Sequence, residues 1–420
     1  APAVAADLDR APINYATAPA DNPVSRLQQR IDKGQVKLAH DDKFGYLPAL
    51  LKQLSVSPAS QTLVFSKTSF QRDRIGPRTP RALYFSDDVY IGYCQHGTVL
   101  EVTAVDPQLG AVFYSLEQEQ ADKPRFIRQG DSCLICHGSS QNHGYPGHLI
   151  RSVYPDPAGL PMLASGSYRI DHTSPLEQRW GGWYVTGTSG KQKHLGNLIV
   201  RGRQRPEAVD NTAGVNVTSL KGRCDTSGYL TPHSDIVALM VLEHQAQAHN
   251  LITRAGMETR IALYQAAEMN KALGRPADYR SDGTTHRIEA AAEPLVRYLL
   301  FCEEAKLTDT IRGTSGFAEE FVKRGPRDPR GRSLRDLDLK RRLFTYPCSY
   351  LICSAAFDAL PDPVKDRVLQ RLYDVLSGKD TSADFAHLTA ADRRAVLEIL
   401  LATKPNLPKY WKLPSSSPSR

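Results

Sequence analysis

Residues 82–114 read ALYFSDDVYIGYCQHGTVLEVTAVDPQLGAVFY and decide the fold class of the N-terminal half. Four runs rich in β-branched and aromatic residues, at 82–85, 89–93, 99–105 and 111–114, predict strands, as does the run at 62–65. Turn residues at 86–88 and 107–110 separate these runs. In the third run Leu100, Val102 and Ala104 alternate with a mixed set of residues, so that one face of the strand is apolar. The stretch therefore predicts a β-meander.

The segment that follows the meander contains the run Cys133-Leu134-Ile135-Cys136-His137. With 7 cysteines and 12 histidines in 420 residues, a chance C-x-x-C-H run is expected on the order of three times per thousand such chains. The motif resembles the haem-attachment site of c-type cytochromes, and the resemblance covers these five residues only. It implies one covalent haem c, bonded through Cys133 and Cys136, with His137 as the proximal ligand of the iron.

Other interpretations of the motif compete with haem attachment. A structural zinc site needs four ligands, and no second pair of cysteines or histidines follows at zinc spacing. A thioredoxin-like dithiol is expected at the start of a helix after a strand, whereas residues 129–132 and 138–140 are typical of a loop. Haem attachment is the favoured interpretation, with a disulfide or a redox-active cysteine pair as the remaining alternatives.

Length and patterning indicate two regions. The 420 residues exceed one average domain, and a hydrophobic content of 41% suffices for a large core. Residues 149–154 and 160–170 predict a hairpin behind the motif, and from Thr231 apolar residues recur at helical spacing, with Gly256 as an interruption. Further helices are expected at 288–303, 334–345, 349–359, 363–376 and 391–402. We expect an α+β protein in which residues 21–230 form a β-rich region carrying the haem and residues 231–404 a helical domain. Residues 1–20 and 405–420 are expected to be extended.

The N-terminus and the cysteines bear on the compartment. The first residues, APAVAA, resemble what remains after a signal peptidase cuts behind small residues, and the cytochrome resemblance implies haem attachment outside the bacterial inner membrane. We therefore expect a periplasmic protein, and no apolar run approaches the length of a membrane span. The remaining cysteines either form two disulfides with one thiol left over or stay buried and free: Cys94, Cys224, Cys302, Cys348 and Cys353.

The net charge of +8 is concentrated in residues 323–342. Nine basic residues there oppose three aspartates, a local balance of +6: Lys323, Arg324, Arg327, Arg330, Arg332, Arg335, Lys340, Arg341 and Arg342. One interpretation is a solvated loop and helix face. The other is a docking patch for an acidic redox partner. Nucleic acid is not expected as a partner, because no aromatic residues for base stacking are interleaved in the patch.

The sixth ligand of the iron decides what such a haem does, since a Met or His ligand suits electron transfer and an open site binds small molecules. Among the distal candidates are Met162, Met240 and His244. Each is more often a core residue than a ligand. Residues 172–194 are the densest stretch of chemically capable side chains, and the candidate catalytic residues there are His172, Arg179, Tyr184 and His194.

Three classes of function follow from these observations. The first is a haem c oxidoreductase acting on a small substrate, with the haem as reaction centre or electron outlet. The second is a mono-haem electron carrier or docking subunit without catalysis of its own. The third is a sensor, for which no output module is recognisable. The size of the chain favours the first, because a carrier needs only one small domain.

Overall fold

A seven-stranded antiparallel sheet organises the N-terminal half of the computed structural model, which describes residues 8–202 and 208–413. The strand order is β6-β5-β4-β3-β2-β1-β9. The strands are β1 (Thr62–Val64), β2 (Arg81–Phe85), β3 (Val89–Tyr93), β4 (Val99–Asp106), β5 (Gly110–Glu117), β6 (Phe126–Gln129) and β9 (Trp183–Tyr184). The predicted hairpin is β7 (Arg151–Val153) paired with β8 (Ser167–Arg169). The α+β prediction and the meander are confirmed.

The two faces of the large sheet serve different cores. One face, which includes Tyr84, Ile91, Val102 and Tyr114, packs against the helices α1 (Pro23–Asp32) and α2 (Leu47–Gln53). The opposite face carries the row Tyr90, Thr103, Phe113 and Gln129, in which neighbours pair directly across strands. Tyr90 belongs to the core of the helical half. We call this second side of the sheet the α4 face, after the helix that covers part of it.

The helix α4 (Ile236–Ala272) is the longest element of the described chain. Its N-cap is Asp235, whose Oδ1 accepts hydrogen bonds from the backbone N–H groups of Val237 and Ala238 at 2.8 and 3.1 Å. The helix continues through Gly256, so the predicted interruption is wrong; Gly256 instead faces Leu360, which a Cβ would touch at 3.4 Å. The other helices are α3 (Asp131–His137), α5 (Asp282–Leu299), α6 (Phe317–Val322), α7 (Ala355–Asp358), α8 (Asp362–Leu376) and α9 (Ala390–Thr403).

The helix predicted at 334–345 is wrong. The segment folds back on itself through a bridge between Leu337 and Phe344. Asp338 explains why, because its Oδ1 accepts hydrogen bonds from the backbone N–H groups of Lys340 and Arg341 at 2.9 and 2.8 Å. A side chain that bonds its own backbone in this way competes with the helical pattern. The helix expected at 349–359 is likewise reduced to a single 3₁₀ turn followed by α7.

The two terminal segments are tied to the core where they are described. Tyr15 is buried and donates from its hydroxyl to the carbonyl of Ala111 at 2.7 Å, so residues 8–20 are not a free extended arm. At the other end Trp411 is buried against Tyr373. Residues 1–7 and 414–420 lie outside the described residues.

All seven cysteines lie in described segments, and each is free. The five cysteines outside the motif therefore form no disulfide; Cys94, Cys302 and Cys348 are buried, as the alternative of buried free thiols expects, whereas Cys224 and Cys353 are only partly buried. Burial raises the pKa of Cys94 and of Cys302 to about 12, as expected for unreactive thiols. No helix in the described part of the chain is long and apolar enough to cross a membrane.

Candidate functional site

The C-x-x-C-H motif forms the short helix α3, which begins two residues after the edge strand β6. The loop expected at residues 129–132 is wrong, because these residues contain the end of β6 and the start of α3; residues 138 and 139 do form a turn and a bend. Helical geometry places Cys133 and Cys136, three residues apart, on one side of the helix, with His137 one turn after Cys133. Cys136 is exposed and Cys133 is half-buried. Both thiols are thus on a helix at the rim of the sheet.

A helix that follows a strand is the position expected for a redox-active dithiol. The pKa of Cys133 argues against that alternative. Reactive dithiols depend on a thiolate whose pKa is lowered by a helix N-terminus or a nearby cation. Burial instead raises the pKa of Cys133 above its ordinary value. The negative charge of Glu101 also raises this pKa.

His137 is held by one hydrogen bond and one ring contact. Its Nδ1 lies 2.9 Å from the carbonyl oxygen of Gly147, a distance at which Nδ1–H donates to that oxygen. Its ring packs against Phe113 of β5, with the centroids 4.7 Å apart. Burial lowers the pKa of His137, which favours the neutral ring. A neutral imidazole protonated at Nδ1 has its lone pair on Nε2, which is the form that ligates iron.

Two asparagines fix the segment that receives this hydrogen bond. Asn250 of α4 accepts from the backbone N–H of His148 and donates to its carbonyl, both at 2.8 Å, and also donates to the side chain of Asn142 at 3.2 Å. Asn142 donates to the carbonyl of His137 at 3.0 Å. A Cβ on Gly147 would lie 2.3 Å from Oδ1 of Asn250, so only glycine fits there. The orientation of His137 is thereby set by α4.

Asn250→Ala should loosen this arrangement. The substitution leaves the backbone groups of His148 without partners in a half-buried site, and we expect the free energy of unfolding to fall by about 1–3 kcal/mol. Urea unfolding of the purified protein measures this change. Glu268→Ala, at an exposed position of the same helix, is the control and should change stability by less than about 0.5 kcal/mol. Equal effects of the two substitutions would contradict the role assigned to Asn250.

The α4 face beside the motif combines charged and apolar groups. Arg81 and Glu101 form an ion pair at 2.6 Å, with side chains only 16% and 20% exposed. Both charges influence the pKa of His137, which places them near the motif. Nearby apolar side chains are unusually open, with Ile127 of β6 at 50% and Ile135 of α3 at 75% exposure. A haem has an apolar macrocycle and two carboxylates. The open isoleucines would suit the macrocycle, whereas Arg81 is already paired with Glu101 and provides no free charge for a carboxylate.

Three of the predicted pocket residues meet in the helical half. Nδ1 of His172 lies 2.7 Å from Nδ1 of His244, and Nε2 of His244 lies 2.9 Å from Oγ of Ser349. Arg179 donates to the carbonyls of His172 and Ser174 and forms an ion pair with Glu243. Trp180 Nε1 donates to the second carboxylate oxygen of Glu243 at 3.1 Å. The sequence thus identified a real cluster, but one that is packed inside the core.

This cluster does not resemble an open catalytic pocket. His172, Arg179 and His244 are each at most 3% exposed. Burial raises the pKa of Glu243 to about 7, although Arg179 and Trp180 both favour its charged form. Burial also holds the pKa of both histidines well below the ordinary value, so both stay neutral. The arrangement ties residues 172–180 to α4.

The other candidates lie apart from one another. Tyr184 belongs to the core under α1 and α2, and its hydroxyl donates to the carbonyl of Pro77 at 2.6 Å. His194 is buried against Trp180, and its Nδ1 accepts from the backbone N–H of Gly196. Met162 packs at a small cluster with Tyr154, and Met240 lies in the same core as His244. Both ring nitrogens of His244 are engaged in hydrogen bonds, which does not favour it as a distal ligand.

A second chain of polar side chains crosses α4 close to the motif. Tyr90 of β3 packs against His148, with ring centroids 4.1 Å apart, and its hydroxyl lies 3.0 Å from Nδ1 of His249. Gln245 Nε2 donates to the Tyr90 hydroxyl at 2.9 Å, and the Tyr350 hydroxyl donates to Gln245 Oε1 at 2.5 Å. Hydrogen bonds therefore connect Tyr350 and His249 through Gln245 and Tyr90. Only a ring contact joins Tyr90 to His148, the residue that follows Gly147 in the chain.

His249 gives a pH-dependent prediction. Burial lowers its pKa to about 4, so the folded protein leaves it neutral at pH 5.5 while the unfolded chain protonates it near pH 6.5. Proton uptake on unfolding makes wild-type stability fall as the pH drops. Between pH 7.5 and 5.5 we expect wild type to lose about 1.4 kcal/mol more than His249→Gln, which lacks this group. Urea unfolding of both proteins at the two pH values tests this, and parallel losses would contradict it.

The basic segment 323–342 is largely neutralised within the fold. Six of its nine cations form ion pairs: Arg327 with Asp336, Arg330 with Glu398, Arg332 with Asp328 and Glu398, Arg335 with Asp87, Arg341 with Asp338, and Arg342 with Asp392. A docking patch needs charges that are free to meet a partner. The pairing favours the interpretation as a solvated, internally balanced surface, and the acidic partner stays a prediction.

The chain matches no known family model, no curated protein and no solved structure. Within residues 8–202 and 208–413, no group of three or more His, Cys, Asp or Glu side chains converges as a metal site would. A c-type haem does not need such a group of ligands, because two thiols and one imidazole attach it to the chain.

Sequence reasoning missed the residues that position His137. Phe113, Gly147 and Asn250 come from a strand, a loop and a helix far apart in the chain. One signal was available, because a single stretch of α4, flanked by apolar residues, is unusually rich in polar residues: Glu243, His244, Gln245, Gln247, His249 and Asn250. Buried polar side chains at this density indicate a network with partners elsewhere in the fold.

Proposed function

We propose that this chain is a periplasmic mono-haem c-type cytochrome that acts as an oxidoreductase on a small substrate. Cys133 and Cys136 would bond the haem covalently, and His137 would provide the proximal nitrogen. When bound, the haem supplies a one-electron couple at iron, as reaction centre or as electron outlet. The periplasmic address rests on the cytochrome resemblance of residues 133–137.

One observation carries this proposal: the hydrogen bond between Nδ1 of His137 and the carbonyl of Gly147 at 2.9 Å. Histidines that ligate metals nearly always donate their second ring N–H in this way, because the bond fixes the tautomer and the orientation of the ring. The C-x-x-C-H spacing alone does not require such a partner. Its presence supports the haem interpretation over a dithiol, which needs no oriented imidazole.

The role of the chain's own residues is to orient and shield His137. Asn250 holds the backbone of His148, the residue after Gly147, and Asn142 holds the carbonyl of His137. Phe113 packs against the His137 ring. Arg81 and Glu101 provide charge beside the motif. Tyr90 of β3 and His249 of α4 meet through a hydrogen bond on the α4 face, and Tyr90 packs against His148, the residue after Gly147.

An electron carrier without catalysis is the second candidate, and the exposure of the motif favours it. Cys136 is exposed, and Ile135 beside it is 75% exposed. A haem attached here would have part of its edge near the protein surface, where a partner protein can approach it. Carrier proteins need such an edge, whereas an enzyme needs access for a small substrate.

The optical spectrum of the purified protein, oxidised and reduced, decides between these candidates. A covalent haem is expected, and binding of carbon monoxide to the reduced form or cyanide to the oxidised form indicates the open iron of an enzyme. A low-spin haem that ignores both ligands indicates the carrier. A protein matured with the haem-attachment machinery that still contains no haem would overturn the proposal.

A further inference from the structure

A cavity of about 260 Å³ lies outside the sites described above. Its walls come from the turn between β2 and β3, from the basic segment and from the turn before α7; the residues that matter here are Asp87, Asp88, Arg324, Arg335, Tyr350 and Ser354. We call it the Arg335 cavity. Its size is near the lower end of the range for sites that bind small molecules.

Arg335 is the unusual group of this cavity. The residue is only 6% exposed, and its Nη2 pairs with Asp87. Its guanidinium lies 4.1 Å from the centre of the Tyr350 ring and 4.9 Å from that of Phe321. Its Nη1, in contrast, has no hydrogen-bond partner among the described protein atoms. A buried charged donor without an acceptor is costly, and an oxygen atom of a ligand would satisfy it.

The backbone keeps this guanidinium in place. A Cβ on Gly325 would lie 2.9 Å from Nε of Arg335, and Gly325 has φ +80°, a conformation that favours glycine. Arg335 is therefore confined between the loop above it and the two rings beside it. A cation that is fixed before binding loses little entropy when it accepts a ligand.

Two arginines and two aspartates line the cavity, so its formal charges balance, and the unpartnered Nη1 of Arg335 is the group that favours an anionic oxygen. Asp87 is already neutralised by Arg335, and Arg324 adds a second, half-buried cation to the wall. Asp88 is the one opposing carboxylate on this wall, and burial together with Asp87 raises its pKa to about 6. Ser354 adds a hydroxyl to the same wall. The donors thus outnumber the free acceptors.

We infer that the Arg335 cavity binds a small organic carboxylate, which Arg335 and Arg324 recognise through charge-assisted hydrogen bonds. This binding does not require a haem. The chemistry differs from that of the motif, and the cavity includes none of the residues proposed to hold the haem.

Tyr350 connects the cavity with the motif. It lines the cavity and donates to Gln245, which donates to Tyr90, and Tyr90 packs against His148. A carboxylate bound beside Tyr350 would change the electrostatic field along this chain. Coupling between the cavity and the haem is therefore part of the inference, and only this part rests on the proposed function.

Titration calorimetry of the purified full-length protein with acetate and with succinate tests the site. We expect binding of at least one of them, and at least about tenfold weaker binding of the neutral analogues acetamide and succinamide. Arg324→Gln and Arg335→Gln should each weaken binding by about tenfold, and Asp88→Asn should tighten it by removing a like charge. Arg330→Gln is the control, since Arg330 belongs to the same segment but lies outside the cavity and pairs with Glu398.

The outcomes separate the alternatives. If neither carboxylate binds, or if Arg330→Gln weakens binding as much as Arg324→Gln, the site is overturned. If Arg324→Gln tightens binding and Asp88→Asn weakens it, the cavity prefers a cation, and the carboxylate proposal is overturned. Arg324→Gln decides the matter even where Arg335→Gln fails to fold, because Arg324 is half-buried and carries less of the packing.

The coupling has its own readout. Addition of the carboxylate should change the haem absorbance of wild type, and Tyr350→Phe should keep the heat of binding while reducing that optical response. Heat without any optical response in a haem-containing protein overturns the coupling and leaves the site. Absence of haem overturns the proposed function, and the calorimetric result stands independently of it.

Discussion

A chain in which Cys133 and Cys136 are both replaced by serine should carry no haem after denaturation. The two thioether bonds are the covalent attachment implied by the motif, and serine cannot form them. The half-buried and exposed positions of the two thiols on α3 mean that the substitutions remove little packing. The absorbance of the denatured protein in alkaline pyridine measures covalent haem per chain, which should fall from one to none.

Cys353→Ser is the matched control for this experiment, because Cys353 is a half-buried free cysteine outside the motif. It should retain a full complement of haem. His137→Ala separates attachment from ligation, since it leaves both sulfur atoms and removes the proximal nitrogen. We expect covalent haem with an altered iron spectrum, and an unchanged spectrum would contradict the assignment of His137.

Glu243→Ala should be among the most destabilising single substitutions in the chain. Glu243 is fully buried, and its carboxylate accepts from Arg179 and from Trp180. Removing it leaves the guanidinium of Arg179 buried without its counter-charge, which costs about 3–5 kcal/mol. Urea or thermal unfolding measures the loss.

The raised pKa of Glu243 shows that the Arg179–Glu243 ion pair adds little net stability to the folded protein. Breaking the pair is nevertheless costly, because it leaves one charge buried alone. Burial penalises the charged carboxylate, and Arg179 offsets this penalty only in part. The double substitution Arg179→Met with Glu243→Leu should therefore recover much of the loss. Arg254→Ala removes a half-exposed ion pair on the same helix and should cost less than about 1 kcal/mol. A Glu243→Ala protein as stable as Arg254→Ala would contradict this account.

Local sequence signals succeeded where local forces dominate. The strands of the meander follow from alternating apolar residues and turn residues within each hairpin. The helices α8 and α9 follow from apolar periodicity and begin within one residue of the predicted positions. At 334–345 the same reasoning failed, because Asp338 bonds the local backbone in place of a helical turn.

For the candidate site, too, some features follow from the sequence and others only from the tertiary structure. The sequence by itself determined the C-x-x-C-H motif, the α+β class and the chemical richness of residues 172–194, since each is a property of residues close together in the chain. Only the tertiary structure decided that His172, Arg179 and His244 form a closed cluster, while Tyr184 lies in another core. It likewise brought Gly147 and Phe113 to His137 and left Nη1 of Arg335 without a partner. The physical reason is that these contacts join different elements of the fold, such as a loop to α4 and α3 to β5, and burial between separate segments leaves no period in the sequence.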